Sequence, residues 1–461
     1  MQKFIKAFID AIKGTETDFT KGSINRAVFL LAVPMILEMV MEGIFSIVDA
    51  FLVSKVSEEA FATVVLTETV ATLLYALSIG ISIAATAMVS RRIGEKNPKA
   101  AADAAGQAIL LGVGVSIFIS IIGILFPDDL LRLMGASESV IATGTEFTRI
   151  FLGSNVVIML LFILNGIFRG AGNAAIAMRV LILANLLNIV LDFILIFGFG
   201  PIPALGVTGA AIATSIGRGS AVLYQLYILF SDKSIIKLTK QHLKANWAIL
   251  KKLIDVAATG SGQHLIGSAS WIFLMMLIAD YGTETVNGYG IAIRIFMFTF
   301  LPAWGIANAG ATLIGQNLGA GLPERAETSV YRAAYLNMAF LFVVAIIYFI
   351  WAEFFIRIFN QNAAVVAIGV DCLRIFAYSY AIFAFGMVIV QAFGGAGDTR
   401  TPTFINFVSF WIIQIPLAYF LAKGLEWEAT GVFWALVISE VFWAGLAVYI
   451  FRKGKWKLIE I

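Results

Sequence analysis

The sequence predicts an all-α membrane protein: twelve transmembrane helices in two six-helix lobes, related by pseudo-two-fold symmetry along the membrane normal. Three observations lead there. First, 60% of the 461 residues are hydrophobic and only 13% charged, against roughly 45–50% apolar residues in soluble domains. Second, apolar runs of about 20 residues, long enough to cross a bilayer, recur twelve times. Third, the chain repeats itself. A shift of 225 residues lays Gly80-Ile81 on Gly305-Ile306, Gly94 on Gly319, Pro98 on Pro323, and Phe168-Arg-Gly-Ala-Gly-Asn173 on Phe393-Gly-Gly-Ala-Gly-Asp398. Thr208-Gly209 falls on Thr430-Gly431 at a shift of 222, so the second copy has a loop three residues shorter. With six spans each, both copies enter the membrane in the same direction, which places the relating axis along the membrane normal.

In chain order, residues 1–26 form an amphipathic segment, with Phe4, Ile5, Phe8, Ile9 and Ile12 set among Lys3, Lys6 and Lys13. It is expected to lie on the cytoplasmic surface and lacks the apolar core and cleavage site of a removed leader. The N-lobe, 27–230, holds spans near 27–53, 60–90, 104–126, 147–168, 178–200 and 205–230. Residues 231–250 are a polar, basic linker and the expected hinge. The C-lobe, 251–451, holds spans near 250–280, 288–313, 329–351, 372–393, 403–422 and 430–451, and 452–461 is a basic tail. With the N-terminus inside, cytoplasmic segments carry 24 of the 32 Lys and Arg, the other side six, and Arg218 and Arg294 lie within spans. That bias puts both termini in the cytoplasm of a multi-pass plasma (inner) membrane protein.

Several classes of chemistry are excluded early. Cys372 is alone, so no disulfide framework or thiolate site exists, and His242 and His264 are too far apart to suggest a zinc centre. The Gly-Ala-Gly stretches follow no strand and precede no Gly-Lys-Ser/Thr, so they read as tight turns rather than phosphate loops. Nothing suggests covalent catalysis, a nucleotide-binding domain, a nucleic-acid partner or a cofactor beyond a coupling ion. The protein is expected to be a monomer among membrane lipids and not an enzyme.

The polar residues inside spans carry the function. Asn185, Asn188 and Asp192 share one face of span five, the first and last within roughly 20° of each other. A carboxylate at mid-bilayer costs at least ~2.5–3.5 kcal/mol, so this face looks at protein or a wet cavity. In span one, Glu38, Glu42 and Asp49 fall within roughly 40° of one another, a stripe of three acids. Glu38 and Glu42 are candidates to line the cleft and attract a cation, or Glu42 to pair with Arg218. Gln263, Arg294 and Trp304 are further candidates for a substrate cavity, with Trp271, Phe296 and Phe298 as possible aromatic walls. At the 222 shift Glu440 coincides with Arg218, opposite charges that would suit a contact between lobes.

Four stretches together resemble the multidrug and toxic compound extrusion family: Pro34 with Ser46-Ile-Val-Asp-Ala-Phe51; Arg91-Arg-Ile-Gly-Glu-Lys-Asn-Pro98; Arg169-Gly-Ala-Gly-Asn173 leading to Asn188 and Asp192; and Gly315-Gln-Asn-Leu-Gly-Ala-Gly321 with Gly394-Gly-Ala-Gly-Asp-Thr-Arg-Thr-Pro402. The resemblance implies a twelve-helix antiporter that expels organic, often cationic, compounds against an inward flow of protons or sodium. It also implies that the aspartate at Asp49 couples ion entry to substrate release. Glu38 and Glu42 depart from the family pattern, and Gln263-His264 replace the acid that one branch carries in span seven, which points to the branch with its coupling site in the N-lobe. Two mechanisms fit. A carboxylate withdrawn from water beside another can carry a proton near neutral pH. Alternatively, Asp49, Asp192, Asn185, Asn188 and the Thr214 hydroxyl supply oxygen ligands for sodium, with Asp49, Asn188 and Asp192 as its core. The alternatives to an efflux antiporter are a flippase of lipid-linked precursors from a related superfamily and a channel or scaffold.

Overall fold

A computed structural model describes residues 2–14, 18–231 and 233–461, with side chains from Ile5 onward. The side chains of Lys3 and Phe4, residues 1 and 15–17 of the predicted 1–26 segment, and residue 232 of the linker lie outside the described set. Gln2–Lys13 is helix α1, with Ile5, Phe8 and Ile9 exposed on it and Asp10 held 3.4 Å from Arg26. The N-lobe follows as α2 (Ile24–Ser54), α3 (Glu58–Gly94), α4 (Pro98–Leu125), the short α5 (Pro127–Leu133), the pair α6 (Glu138–Gly153) and α7 (Asn155–Gly170), α8 (Ala174–Phe197) and α9 (Val207–Phe230). The C-lobe runs α10 (Trp247–Ala279), α11 (Thr283–Gly319), α12 (Pro323–Phe359), the pair α13 (Ala363–Ala377) and α14 (Tyr380–Ala396), α15 (Arg400–Asn406), α16 (Ile415–Tyr419) and α17 (Glu428–Arg452).

Among the described residues, nine segments are long and apolar enough to cross a membrane, and the α6–α7 and α13–α14 pairs, bent by 41° and 57°, make two more. The twelfth is α9, whose mean hydropathy is lowered by Arg218 and Gln225 and which packs along α8. The α15–α16 span is wound in part as a π-helix, over Phe407–Gln414 and Phe420–Gly424. Pro416 lies inside that span and can offer no N–H to a regular α ladder.

The repeat seen in the sequence sets the helix boundaries. Both ends of α3 recur in α11 after 225 residues, as do the starts of α4, α6 and α7 in α12, α13 and α14. The matched glycines are where the lobes touch. A Cβ on Gly94 would collide with the Gln316 carbonyl, and one on Gly319 with the Arg91 carbonyl, reciprocal contacts related by the same shift. Gly80 likewise abuts α10 at Ala257 and Ser261, while Gly305 abuts α2 at Met35, where a Cβ would come within 2.7 Å of the carbonyl oxygen. Such isologous pairs mark a two-fold axis between the lobes.

All four close approaches lie in the half of the molecule that carries both termini. Two straps cross the lobe boundary on that face. The segment before α2 is gripped by the C-lobe Arg325, which donates to the carbonyls of Phe19, Lys21 and Gly22. The tail after α17 is gripped by the N-lobe: Arg92 donates to the Ile461 carbonyl at 2.7 Å and Arg91 to that of Ile459. Trp456, fully buried against Phe451, anchors the tail.

Candidate functional site

The polar face of α8 is turned into the N-lobe, as its spacing predicts. Asp192 and Asn188 are buried at 0% and 1% exposure, in a helix whose opposite face exposes Leu183, Val190 and Phe193. With its amide in the orientation that satisfies both ends, Asn188 donates to Asp192 Oδ2 at 2.8 Å and accepts the Thr214 backbone N–H at 3.1 Å. α9 can come this close because Gly217 faces Asn188, where a Cβ would meet the asparagine Cβ at 2.9 Å. Asp192 Oδ1 is buried with no hydrogen-bond partner, and so is Asp49 Oδ1. The two carboxylates are close enough to feel each other's charge, and Asp49 also feels Glu68 and Arg218. Two orphaned carboxylate oxygens in one apolar lobe are a costly arrangement unless a cation joins them.

Thr214 reaches the cluster through its backbone N–H, which donates to Asn188. Asn185 is buried, but its amide nitrogen donates to the Met41 carbonyl at 2.8 Å, fastening α8 to α2.

Deeper in the lobe, the acids of α2 find arginines. Arg218 Nη2 donates to Glu42 Oε1 at 2.9 Å, the pairing the sequence offered. Glu38 receives Arg169 Nη1 and Asn165 Nδ2, each at 3.0 Å on Oε1, while Asn165 accepts from Gln225 and Arg169 reaches Ser82. Glu440 does not meet Arg218. It accepts from Ser379 at 2.6 Å inside the C-lobe, because Arg218 is already held by Glu42 in the other lobe.

Between the lobes lies a cavity of about 320 Å³. Glu38, Glu42, Asn165 and Arg169 line it from the N-lobe, and Trp304, Asn308, His264 and Gln391 from the C-lobe. Of the residues expected at a substrate cavity, Glu38, Glu42 and Trp304 line it, and Gln263 and Arg294 do not. His264, one residue round the helix, takes the wall position that Gln263 was expected to fill. Arg294 shares a helical stripe with Leu301 and Asn308, but stands about two turns, roughly 10 Å along the axis, beyond Leu301 from the terminal face, and is exposed. Of the other aromatics named from sequence, Phe296 is buried in a C-lobe cluster with Tyr380 and Phe383, Phe298 is exposed, and Trp271 packs beside Phe296. Tyr75 and Phe162 line the cavity instead, edge to face at 6.0 Å.

Sequence reasoning missed Arg169, Asn165 and Glu68. Arg169 read as part of a tight turn, although an arginine ending an apolar helix and an unpartnered Glu38 were together a signal. Glu68 sits two and a half turns inside α3 and lay unremarked in an otherwise apolar span.

A family model, MatE, matches residues 34–194 and 263–420. The chain is 26% identical to the probable multidrug resistance protein NorM of Thermotoga maritima, over 94% of this chain and 93% of that one. It superposes with a TM-score of 0.89 and 26% identity on a crystal structure of MATE in complex with MaD3S, covering 96% of this chain and 99% of that one. It superposes at 0.88 and 26% identity on a multidrug resistance MATE family transporter of the MOP superfamily in an outward-facing conformation, covering 96% and 98%.

Proposed function

The chain belongs to the MatE family of multidrug efflux transporters, and from that premise we propose that it is a secondary antiporter exchanging organic cations for protons or sodium ions by alternating access. The single observation that carries the coupling is the pair of buried, unpartnered carboxylate oxygens on Asp49 and Asp192 in the N-lobe. A proton or a sodium ion there removes the cost of two uncompensated charges. The donor set suits either ion, since both orphan atoms are hard oxygens.

The substrate is held in the interlobe cavity, between the carboxylate of Glu42 and the aromatic faces of Trp304, Tyr75 and Phe162. Acid beside aromatic is the chemistry that recognises an organic cation. On the positive-inside bias the face bearing both termini is cytoplasmic. The lobes are clamped on that face, so the present state is the one from which substrate leaves to the outside of the plasma membrane. The protein acts as a monomer in this cycle.

The test is transport by the purified protein in liposomes, with a proton gradient and a sodium gradient imposed separately on a fluorescent organic cation. Movement driven by one gradient names the ion. No movement of several such cations under either gradient refutes the antiport reading.

A further inference from the structure

Arg218 and Glu42 are the charged pair that the ion site and the cavity share. On α2, Glu42, Phe45 and Asp49 follow at three and four residues and so occupy one face, with the phenyl ring between the two carboxylates. Arg218 enters from α9 with its guanidinium carbon 4.7 Å from the centre of the Phe45 ring. It is bonded to Glu42 and lies within electrostatic reach of Asp49. One nitrogen, Nη2, is bonded to Glu42 at 2.9 Å, and the other, Nη1, is buried with no partner. Asp49 Oδ1 is also buried with no partner, and Asp49 and Arg218 feel each other's charge. An unused donor on Arg218 and an unused acceptor on Asp49 thus share one buried region of the N-lobe, beside the helix face that carries Phe45.

The two ends differ in access. Glu42 lines the cavity and its side chain is 27% exposed, whereas that of Arg218 is 7% exposed. A ligand in the cavity can reach the carboxylate but not the guanidinium. We propose that Arg218 is a shared counter-ion that passes between Glu42 and Asp49, so that a cationic substrate seated on Glu42 expels the coupling ion from Asp49. This rests on the antiport reading above and supplies its exchange step. With the cavity empty, Arg218 stays on Glu42 and Asp49 holds the coupling ion. When an organic cation takes Glu42, the buried guanidinium cannot remain unpaired. It turns across Phe45 to Asp49, and the coupling ion leaves because its carboxylate now has an internal cation. Binding of the two ions is then mutually exclusive. The other charged or titratable groups facing this site are Glu38 on α2, one turn from Glu42 and itself held by Arg169, Glu68 and Tyr75 from α3, and Asp192 from α8. Asp192 keeps the second place for the coupling ion.

The experiment is equilibrium binding of ethidium, a planar fluorescent monocation, to the purified full chain across about two pH units and, separately, about a hundredfold range of sodium. One-for-one competition makes the wild-type Kd rise up to about tenfold for each tenfold increase in the coupling ion, the limit that reciprocal linkage sets. In Arg218→Gln the Kd changes less than about twofold over the same range, because Asp49 keeps its ion while Glu42 takes ethidium independently. Removing both charges in Glu42→Gln/Arg218→Gln buries no lone charge, so it guards against misfolding. This double variant binds ethidium more weakly and with the same flat dependence. A sensitive wild type beside an equally sensitive Arg218→Gln, or an equally sensitive double variant, overturns the shared counter-ion and leaves antiport standing. A wild type that binds ethidium indifferently to both ions contradicts the antiport reading itself.

Discussion

Glu38 presents one carboxylate oxygen to both Arg169 and Asn165 while its other oxygen has no partner, and its side chain is 1% exposed. The charge is tolerated there only because the guanidinium is 3.0 Å away. Removing one member of a buried pair costs roughly 3–5 kcal/mol, since the other is left uncompensated. Glu38→Gln should therefore lower stability in detergent by an amount near that range, read from denaturant or thermal unfolding. Adding Arg169→Gln should recover a large part of the loss. An unchanged midpoint in the single variant would mean that water already screens the pair. At this scale the sequence was informative about which residues matter and less so about partners. Asp192 and Asn188 were legible because a carboxylate and an amide in an apolar span have few acceptable positions. Arg169 was not, because its partner lies 131 residues away and only the folded lobe brings the two helix faces together.

Helices and their crossings were legible through the repeat, and so were the places where lobes meet. Gly94 and Gly319 are matched in sequence because each must let the other lobe's backbone approach. Gly319→Val puts side-chain atoms against the Arg91 carbonyl and should push the lobes apart on the terminal face. Spin-label distances between α3 and α11 on that face are expected to lengthen or broaden, and an unchanged distribution would remove these glycines from the closure. The straps were not legible, since basic tails and short loops read as solvated charge. Asp18 belongs to one of them, 2.9 Å from Lys96. Partial burial pushes its carboxyl up, but hydrogen bonds from Thr20 and Lys96 outweigh this and hold it at about 2, below the ordinary 3.8. A depressed carboxyl stabilises the folded state above its unfolded value and loses that contribution as pH falls through its folded one. The stability difference between wild type and Asp18→Asn should thus be constant at neutral pH and shrink only between about 3.8 and about 2. A difference already lost near neutral pH would contradict the assigned contacts.

Across the molecule, the two copies of one six-helix unit have diverged in charge. The N-lobe keeps Asp49, Asp192 and two arginine–carboxylate pairs, while the C-lobe span equivalent to α8 carries Ile413 and Leu417 where Asn188 and Asp192 stand. The two-lobed plan could be read from the repeat and the hydropathy alone. The depth of the cavity could not, because Arg294 and Trp304 lie ten residues apart on one helix and only the packing of α11 against α2 decides which one reaches the wall. The account places ion coupling in the N-lobe and substrate between the lobes. Its most direct test is gradient-driven movement of an organic cation in liposomes by the wild type beside Asp192→Asn, with matched reconstitution and matched unfolding temperatures. Loss of gradient-driven movement by at least about tenfold in the variant, with ethidium still bound, is the predicted result. Transport by Asp192→Asn at the wild-type rate would show that the buried carboxylate of α8 is structural and that the coupling ion binds elsewhere.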